Sequence, residues 1–190
     1  MKFFNDDKPL SATALGWMGH GEMTFAGFTI QKMDAKGRVS VPASLRRHLE
    51  GEEPELMLVP SFDPKDPCVC VYPKAVHDEK SRFHVERTRR LIQEAQSDAQ
   101  RAKASAQLSG FIHAFSRLAE AVKLDGLGRF VVVKRLREIL EVEGRAELVF
   151  AGSGDHIRIY HPQRWDALNA VHLSASQDYL DSLGGSMDSL

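Results

Sequence analysis

Apolar and polar residues alternate through FTIQKMD (28–34) and RVSVP (38–42), on either side of a turn centred on Gly37. A period of two marks strands with one buried face, so the pattern predicts a β-hairpin. Pro42 suits the first turn of a short helix, in which Leu45 and Leu49 recur at i, i+4. ELMLVP (55–60) and CVCVY (68–72) predict two more strands joined by the turn-rich loop SFDPKDP, and Pro73 predicts the start of another helix. Alternation in CVCVY puts Cys68 and Cys70 on one face, inward, as small apolar side chains.

The same order of elements returns after residue 115. AVKLD and RFVVV predict a hairpin, KRLREIL a helix, AELVFA and HIRIY the later strands around the loop GSGD, and Pro162 opens a helix bearing Trp165 and Leu168. Between the halves, residues 79–115 lack proline and are rich in Ala, Gln, Glu and Arg, the composition of helix. A stripe of Leu91, Ala95, Ala99, Ala102 and Ala106 predicts a close-packing face. Ser97 followed by Gln100 predicts a capping box that divides the region into two helices, their charged residues forming a solvated face. Residues 1–22 carry no periodicity and read as a mobile arm, with Met23 a candidate native start. The expected organisation is an N-terminal arm (1–22), a first half (23–78), a helical connection (79–115), a second half (116–172) and a tail (173–190) that starts as a short helix and becomes disordered.

The halves are more than similar in order. Sliding MDAKGRVSVPASLRRHL (33–49) by 91 positions onto LDGLGRFVVVKRLREIL (124–140) matches seven of 17 residues without a gap, among them Asp34 with Asp125, Gly37 with Gly128, Arg38 with Arg129 and Arg46 with Arg137. The chain therefore carries one unit twice.

Charge sharpens this picture. The total is −1, which by itself argues against a nucleic-acid binder. Yet residues 32–47 hold five cations against one acid, as do residues 123–137, a net +4 in each that leaves −9 on the rest of the chain. No apolar run approaches a membrane span, and the N-terminus lacks a signal-peptide pattern, so the expected address is the cytoplasm.

Catalytic chemistry finds no support in the spacing. GSGD lacks the lysine of a phosphate-binding loop, and there is no nucleophile elbow and no H-E-x-x-H helix. His77, Asp78 and Glu79 are adjacent but do not converge, and are assigned to the surface; the eight histidines show no ligand pattern, so neither metal nor cofactor is expected. The doubled D-x-x-G-R remains. A salt-bridged turn would account for one copy, but an exposed pair contributes only about 0–1 kcal/mol, a thin reason to build it twice. The functional alternative is that Asp34 and Asp125 orient the forks of Arg38 and Arg129 toward a planar anion or a guanine edge, which requires arginine. Lys32, Lys36, Arg46, Arg47, Arg135 and Arg137 would then hold phosphates, and Gly37 and Gly128 would shape the turns.

MDAKGRVSVPASLRRHL with FAG upstream, followed by LDGLGRFVVV and GSGDHIRIYHPQRW, closely resembles the MraZ family, over roughly residues 25–172. That family belongs with the AbrB-like (SpoVT/AbrB) swapped-hairpin DNA-binding folds. The resemblance implies an α+β protein in which two tandem swapped-hairpin halves form one pseudo-twofold β-barrel with flanking and linking helices. It implies a non-enzymatic transcriptional regulator of the division and cell-wall gene cluster, acting on its own promoter and associated with the nucleoid. Its partners would be double-stranded DNA with short direct repeats and further copies of itself in a closed ring; Arg38, and by the repeat Arg129, would be the binding arginines. The second copy departs from the first at Leu127, in place of Lys36, and Val133, in place of Pro42, so the first half is expected to carry more of the DNA contact. The other reading of the fold is a protein-interaction module, antitoxin-like or a scaffold, without operator reading.

Overall fold

In this computed structural model residues 25–47, 49, 54–61 and 63–182 are described; the expected arm at 1–22 and the end of the tail lie outside them. The elements are β1 (Phe28–Met33), β2 (Arg38–Ser40), α1 (Ala43–Arg46), β3 (Glu55–Pro60), β4 (Val69–Pro73), α2 (Lys74–Gln93) and α3 (Asp98–Phe111), which ends in a wide helical turn, Ile112–Arg117. There follow β5 (Glu120–Lys123), β6 (Arg129–Val131), α4 (Lys134–Ile139), β7 (Ala146–Gly152), β8 (Ile157–Tyr160) and α5 (Pro162–Ser182). The 91-residue shift carries Arg38 onto Arg129, Ala43 onto Lys134 and Glu55 onto Ala146, the first residues of β2 and β6, α1 and α4, β3 and β7.

The strands do not pair as two local hairpins. β1 runs antiparallel to β7, with Phe28 opposite Ala151 and Met33 opposite Ala146, while β2 pairs with β6, with Val39 opposite Phe130. Each strand that the pattern assigned to a hairpin therefore finds its neighbour in the other half. The chain reverses at each D-x-x-G-R, but its two arms separate into different sheets. One is a six-stranded sheet of order β1-β7-β8-β4-β3-β5, and the other is the two-stranded ribbon β2-β6. This corrects the expected closed barrel. The large sheet ends at β1 and β5, and the strands that follow those edges leave to form the ribbon instead of completing a ring of hydrogen bonds.

Both faces of the large sheet are covered, as its composition requires. On one face Leu56, Leu58, Leu148, Phe150, Ile157 and Ile159 pack beneath the ribbon's Val39, Val41, Phe130 and Val132 and the helix residues Leu45 and Leu136. On the other, Val59, Cys68, Cys70, Tyr72, Val149 and Tyr160 meet Phe115, Phe111, Trp165 and Leu168 of the helical layer. The same alternation that sends Val69 and Val71 to the first core sends Cys68 and Cys70 to the second, where both are buried with Sγ atoms 4.0 Å apart.

Two helical expectations change. His77 is buried, not on the surface: it lies on the inner face of α2, stacked on Phe115 with ring centroids 4.5 Å apart, and its Nε2 donates to the Phe115 carbonyl at 3.0 Å. The small-residue stripe is not a packing face. Ser97 caps α3 by accepting from Gln100 N–H at 3.3 Å, but the break before it shifts the helical phase. The α3 side chain that becomes buried is Ala104, while Leu91 is left 47% exposed.

Candidate nucleic-acid interface

Each D-x-x-G-R turn is closed by its own backbone. Asp34 N–H donates to the Arg38 carbonyl and Gly37 N–H to the Asp34 carbonyl, both at 2.9 Å; Asp125, Arg129 and Gly128 repeat the pattern at 2.8 and 2.7 Å. The glycines stand at φ +80° and +71°, a conformation that side chains with a Cβ adopt only under strain. They also hold the halves together: Val41 N–H donates to the Gly128 carbonyl at 2.9 Å and Val132 N–H to the Gly37 carbonyl at 2.8 Å.

The aspartates organise the turns from within. Oδ1 of Asp34 accepts from the backbone N–H of Lys36 and Arg38 at 2.9 and 3.0 Å, leaving Oδ2 to accept from Nε of Arg38 at 2.6 Å. Asp125 does the same with Leu127 and Arg129 at 3.0 and 2.9 Å, but its Oδ2 meets the guanidinium twice, Nε at 2.8 Å and Nη2 at 2.7 Å. The acidities follow. The side chain and then the backbone N–H of Arg129 hold the Asp125 carboxyl down at about 2; Asp34 is also lowered, chiefly by the Arg38 backbone N–H. Bonding to Asp125 raises the Arg129 guanidinium, and the charge of Asp34 adds to this, so the two turns share one electrostatic field.

The ribbon puts both arginines on one face. Val39 and Phe130 point into the core as an opposed pair, so Arg38, Ser40, Arg129 and Val131 line the other side. Arg38 stands opposite Val131, two residues from Arg129, a diagonal neighbour at about 7–8 Å. Their side chains are 40% and 32% exposed.

The remaining basic residues divide. Lys36 is exposed in its turn, Arg47 is exposed just after α1, and Lys32 is exposed on β1 opposite Glu147. Arg135 turns inward to its own half, its Nη2 donating to the Leu118 carbonyl at 2.6 Å and to Glu120 at 3.0 Å. Arg46 crosses to the other half and donates from Nη1 to the Leu127 carbonyl at 3.0 Å. Arg137 lies against Gly37, its Cδ and Cζ each 3.6 Å from where a Cβ would stand there. The crossed placement of the last two was hidden in the repeat itself, since Arg46 and Arg137 are one of its identical pairs. Sequence reading also missed the half-buried network on the far side of the sheet, in which Arg158 bonds Asp66 while His156 bonds Asp155 at 2.8 Å. Among the described residues no cluster of His, Cys, Asp or Glu could hold a metal, and no helix is long and apolar enough to cross a membrane.

Comparison with known proteins decides the lineage. The family model described as "MraZ protein, putative antitoxin-like" matches residues 24–83 and 115–181, the two repeats with only the ends of the helical connection. The chain belongs to the MraZ family. It is 31% identical over 157 residues to the transcriptional regulator MraZ of Pseudomonas fluorescens strain SBW25, an alignment covering 80% of this chain and 90% of the relative. The transcriptional regulator MraZ of Pseudomonas putida strain KT2440 is similar at the same identity and coverage. Membership in this family of transcriptional regulators makes the chain a regulator and not an enzyme.

Proposed function

We propose that this MraZ-family chain is a sequence-specific DNA-binding regulator that reads short direct repeats in the promoter of its own division and cell-wall gene cluster. The observation that carries this is the pair of Asp-braced arginines on one solvent face of a two-stranded ribbon. A ribbon of this width fits the major groove of B-DNA, which is about 12 Å across. Each aspartate occupies Nε and turns the far edge of the guanidinium outward, where it can meet guanine O6 and N7 or a phosphate. Lys32, Lys36 and Arg47 supply phosphate contacts beside it.

The assembly is a ring of identical chains in the cytoplasm, associated with the nucleoid. Edge strand β1 exposes Phe28 (60%) and Ile30 (52%), an apolar surface that self-association would cover. A ring also compensates for the chain's modest charge, because linked identical sites facing repeated DNA elements gain avidity by effective concentration.

The test is a titration of the full chain against its own upstream duplex, with intact and scrambled repeats, at two salt concentrations, with Arg38→Ala in parallel. Intact repeats bind tightly, scrambling weakens them, added salt weakens both, and Arg38→Ala strongly weakens binding without changing the oligomer. Equal binding of both duplexes, or of neither, sinks the proposal and moves the protein-interaction reading to the front.

A further inference from the structure

Arg46 and Arg137 stand at equivalent positions of the two repeats, and each meets the glycine turn of the other half. Arg46 donates to the carbonyl of Leu127, and a Cβ on Gly128 would collide with its Nη1 and stand 2.8 Å from its Cδ. Arg137 packs its stem and guanidinium carbon over Gly37, on whose turn the chain's other Asp-Arg pair is built. Both side chains are half-buried, so much of their surface is withheld from any phosphate. The absence of a side chain at each glycine is what lets an arginine of the opposite half lie so close.

We propose that Arg46 and Arg137 are crossed positioning residues: the helix of each half sets the shape of the D-x-x-G-R turn in the other, so the DNA-contacting arginine of one repeat is held by its sister repeat. This rests on the reading of Arg38 and Arg129 as DNA contacts. Arg46 acts through residues 125–129, with a charge-assisted bond to a carbonyl in the middle of the turn. Arg137 acts through residues 34–38 by packing; its Nε is one of two buried side-chain polar atoms without a partner among the described residues, so this second clamp is the looser. The arrangement makes the duplication functional. Neither turn is complete without the other half, which couples two sites that a simple tandem repeat would leave independent.

The first experiment needs no DNA. Amide hydrogen exchange is measured on the full chain and on Arg46→Met and Arg137→Met, since methionine retains apolar length without the donors. Arg46→Met is expected to speed exchange at Leu127 and Arg129, whose N–H groups Asp125 holds, and to leave Lys36 and Arg38 unchanged; Arg137→Met does the reverse, more weakly. Equal acceleration in both turns from either variant means general loosening and overturns the proposal.

The second is a double-mutant cycle on affinity for the direct-repeat duplex. Arg46→Met alone is expected to weaken binding roughly tenfold, the scale of one lost charged hydrogen bond. It adds nothing when Arg129→Ala is already present and its full effect when Arg38→Ala is, whereas Arg137→Met shows the opposite partner dependence. The slope of log affinity against log salt stays unchanged for both. Losses that add in every combination, with a slope lowered by about 0.9 per variant, identify direct phosphate contacts instead and overturn the crossed arrangement. If Arg38→Ala and Arg129→Ala both leave affinity intact, the DNA-reading proposal has failed, and the exchange result alone decides the clamps.

Discussion

The two D-x-x-G-R turns have the same backbone and the same aspartate, yet they hold their arginines differently. In the turn at 34–38, the shortest approach of Asp34 to the Arg38 guanidinium is at Nε, 2.6 Å. In the turn at 125–129, Asp125 takes both Nε and Nη2 of Arg129, and Arg46 closes over the loop from the other half. Leu127, 67% exposed, replaces the cation Lys36 at the same place. The first turn thus presents its guanidinium beside an added positive charge, and the second a guanidinium that holds its carboxylate down at about 2 under a loop bonded by Arg46. On the proposed reading, the duplicated motif is divided into a reader and a brace.

The largest expected effect comes from the glycines. At Gly37 an added Cβ would stand 2.9 Å from the backbone carbonyl of Val132, whose own N–H is bonded to the Gly37 carbonyl; at Gly128 the obstacle is the side chain of Arg46, which has room to change rotamer where backbone does not. Positive φ adds strain in both, so Gly37→Ala should cost about 2–3 kcal/mol and Gly128→Ala about 1–2. Thermal melts check the order. A lower melting temperature for Gly128→Ala would mean that Arg46 is more rigidly fixed than its position implies.

Much of this arrangement is legible before any coordinates. The 91-residue shift places β1 beside β5 in role, β2 beside β6 and β3 beside β7, and Pro42, Pro73 and Pro162 mark the helix starts. What alternation cannot reveal is which strand lies alongside. FTIQKM alternates, yet the face it buries carries Met33 while Phe28 and Ile30 stay exposed, and its pattern is satisfied equally by RVS and by the distant AELVFA, so the exchange of partners between halves is invisible in local periodicity. The same limit applies to His77, whose inner position depends on how α2 docks on the sheet. Arg46, Arg135 and Arg137 read as free cations because what they meet, the carbonyls of Leu127 and Leu118 and the Gly37 turn, are backbone features set by tertiary approach.

Next in size is Arg38→Lys, which keeps the charge but loses the fork. Affinity for the direct-repeat duplex should fall by about 1–2 kcal/mol, with less change in binding to scrambled DNA. Arg129→Lys should fall less; the same titration compares them, and a reversed order would break the division between reader and brace. Smaller still is Leu127→Lys, which restores the first repeat's cation to the second. It should tighten binding several-fold at low salt and steepen the salt dependence by about 0.9 in slope. No change in slope would show that this turn lies away from the phosphates.

The smallest effect is a difference in acidity. Asp125 is depressed to about 2, so its contribution to the turn is fully present above the ordinary carboxylate range and is lost as pH falls through that value. Asp34 is lowered too, but chiefly by a backbone N–H where Asp125 is held chiefly by a guanidinium, so it should protonate first on acidification. Carboxyl NMR titration distinguishes them, and Asp34 outlasting Asp125 as the ionised partner would remove the electrostatic part of the contrast.

The most direct measurement is a parallel titration of the wild-type chain, Arg38→Ala and Arg129→Ala against the intact direct-repeat duplex, with oligomer size monitored in each. Both substitutions should weaken binding at unchanged assembly size, Arg38→Ala by the larger factor. Retention of binding by Arg38→Ala while Arg129→Ala loses it, or indifference to both, would contradict the assignment of DNA reading to the first turn.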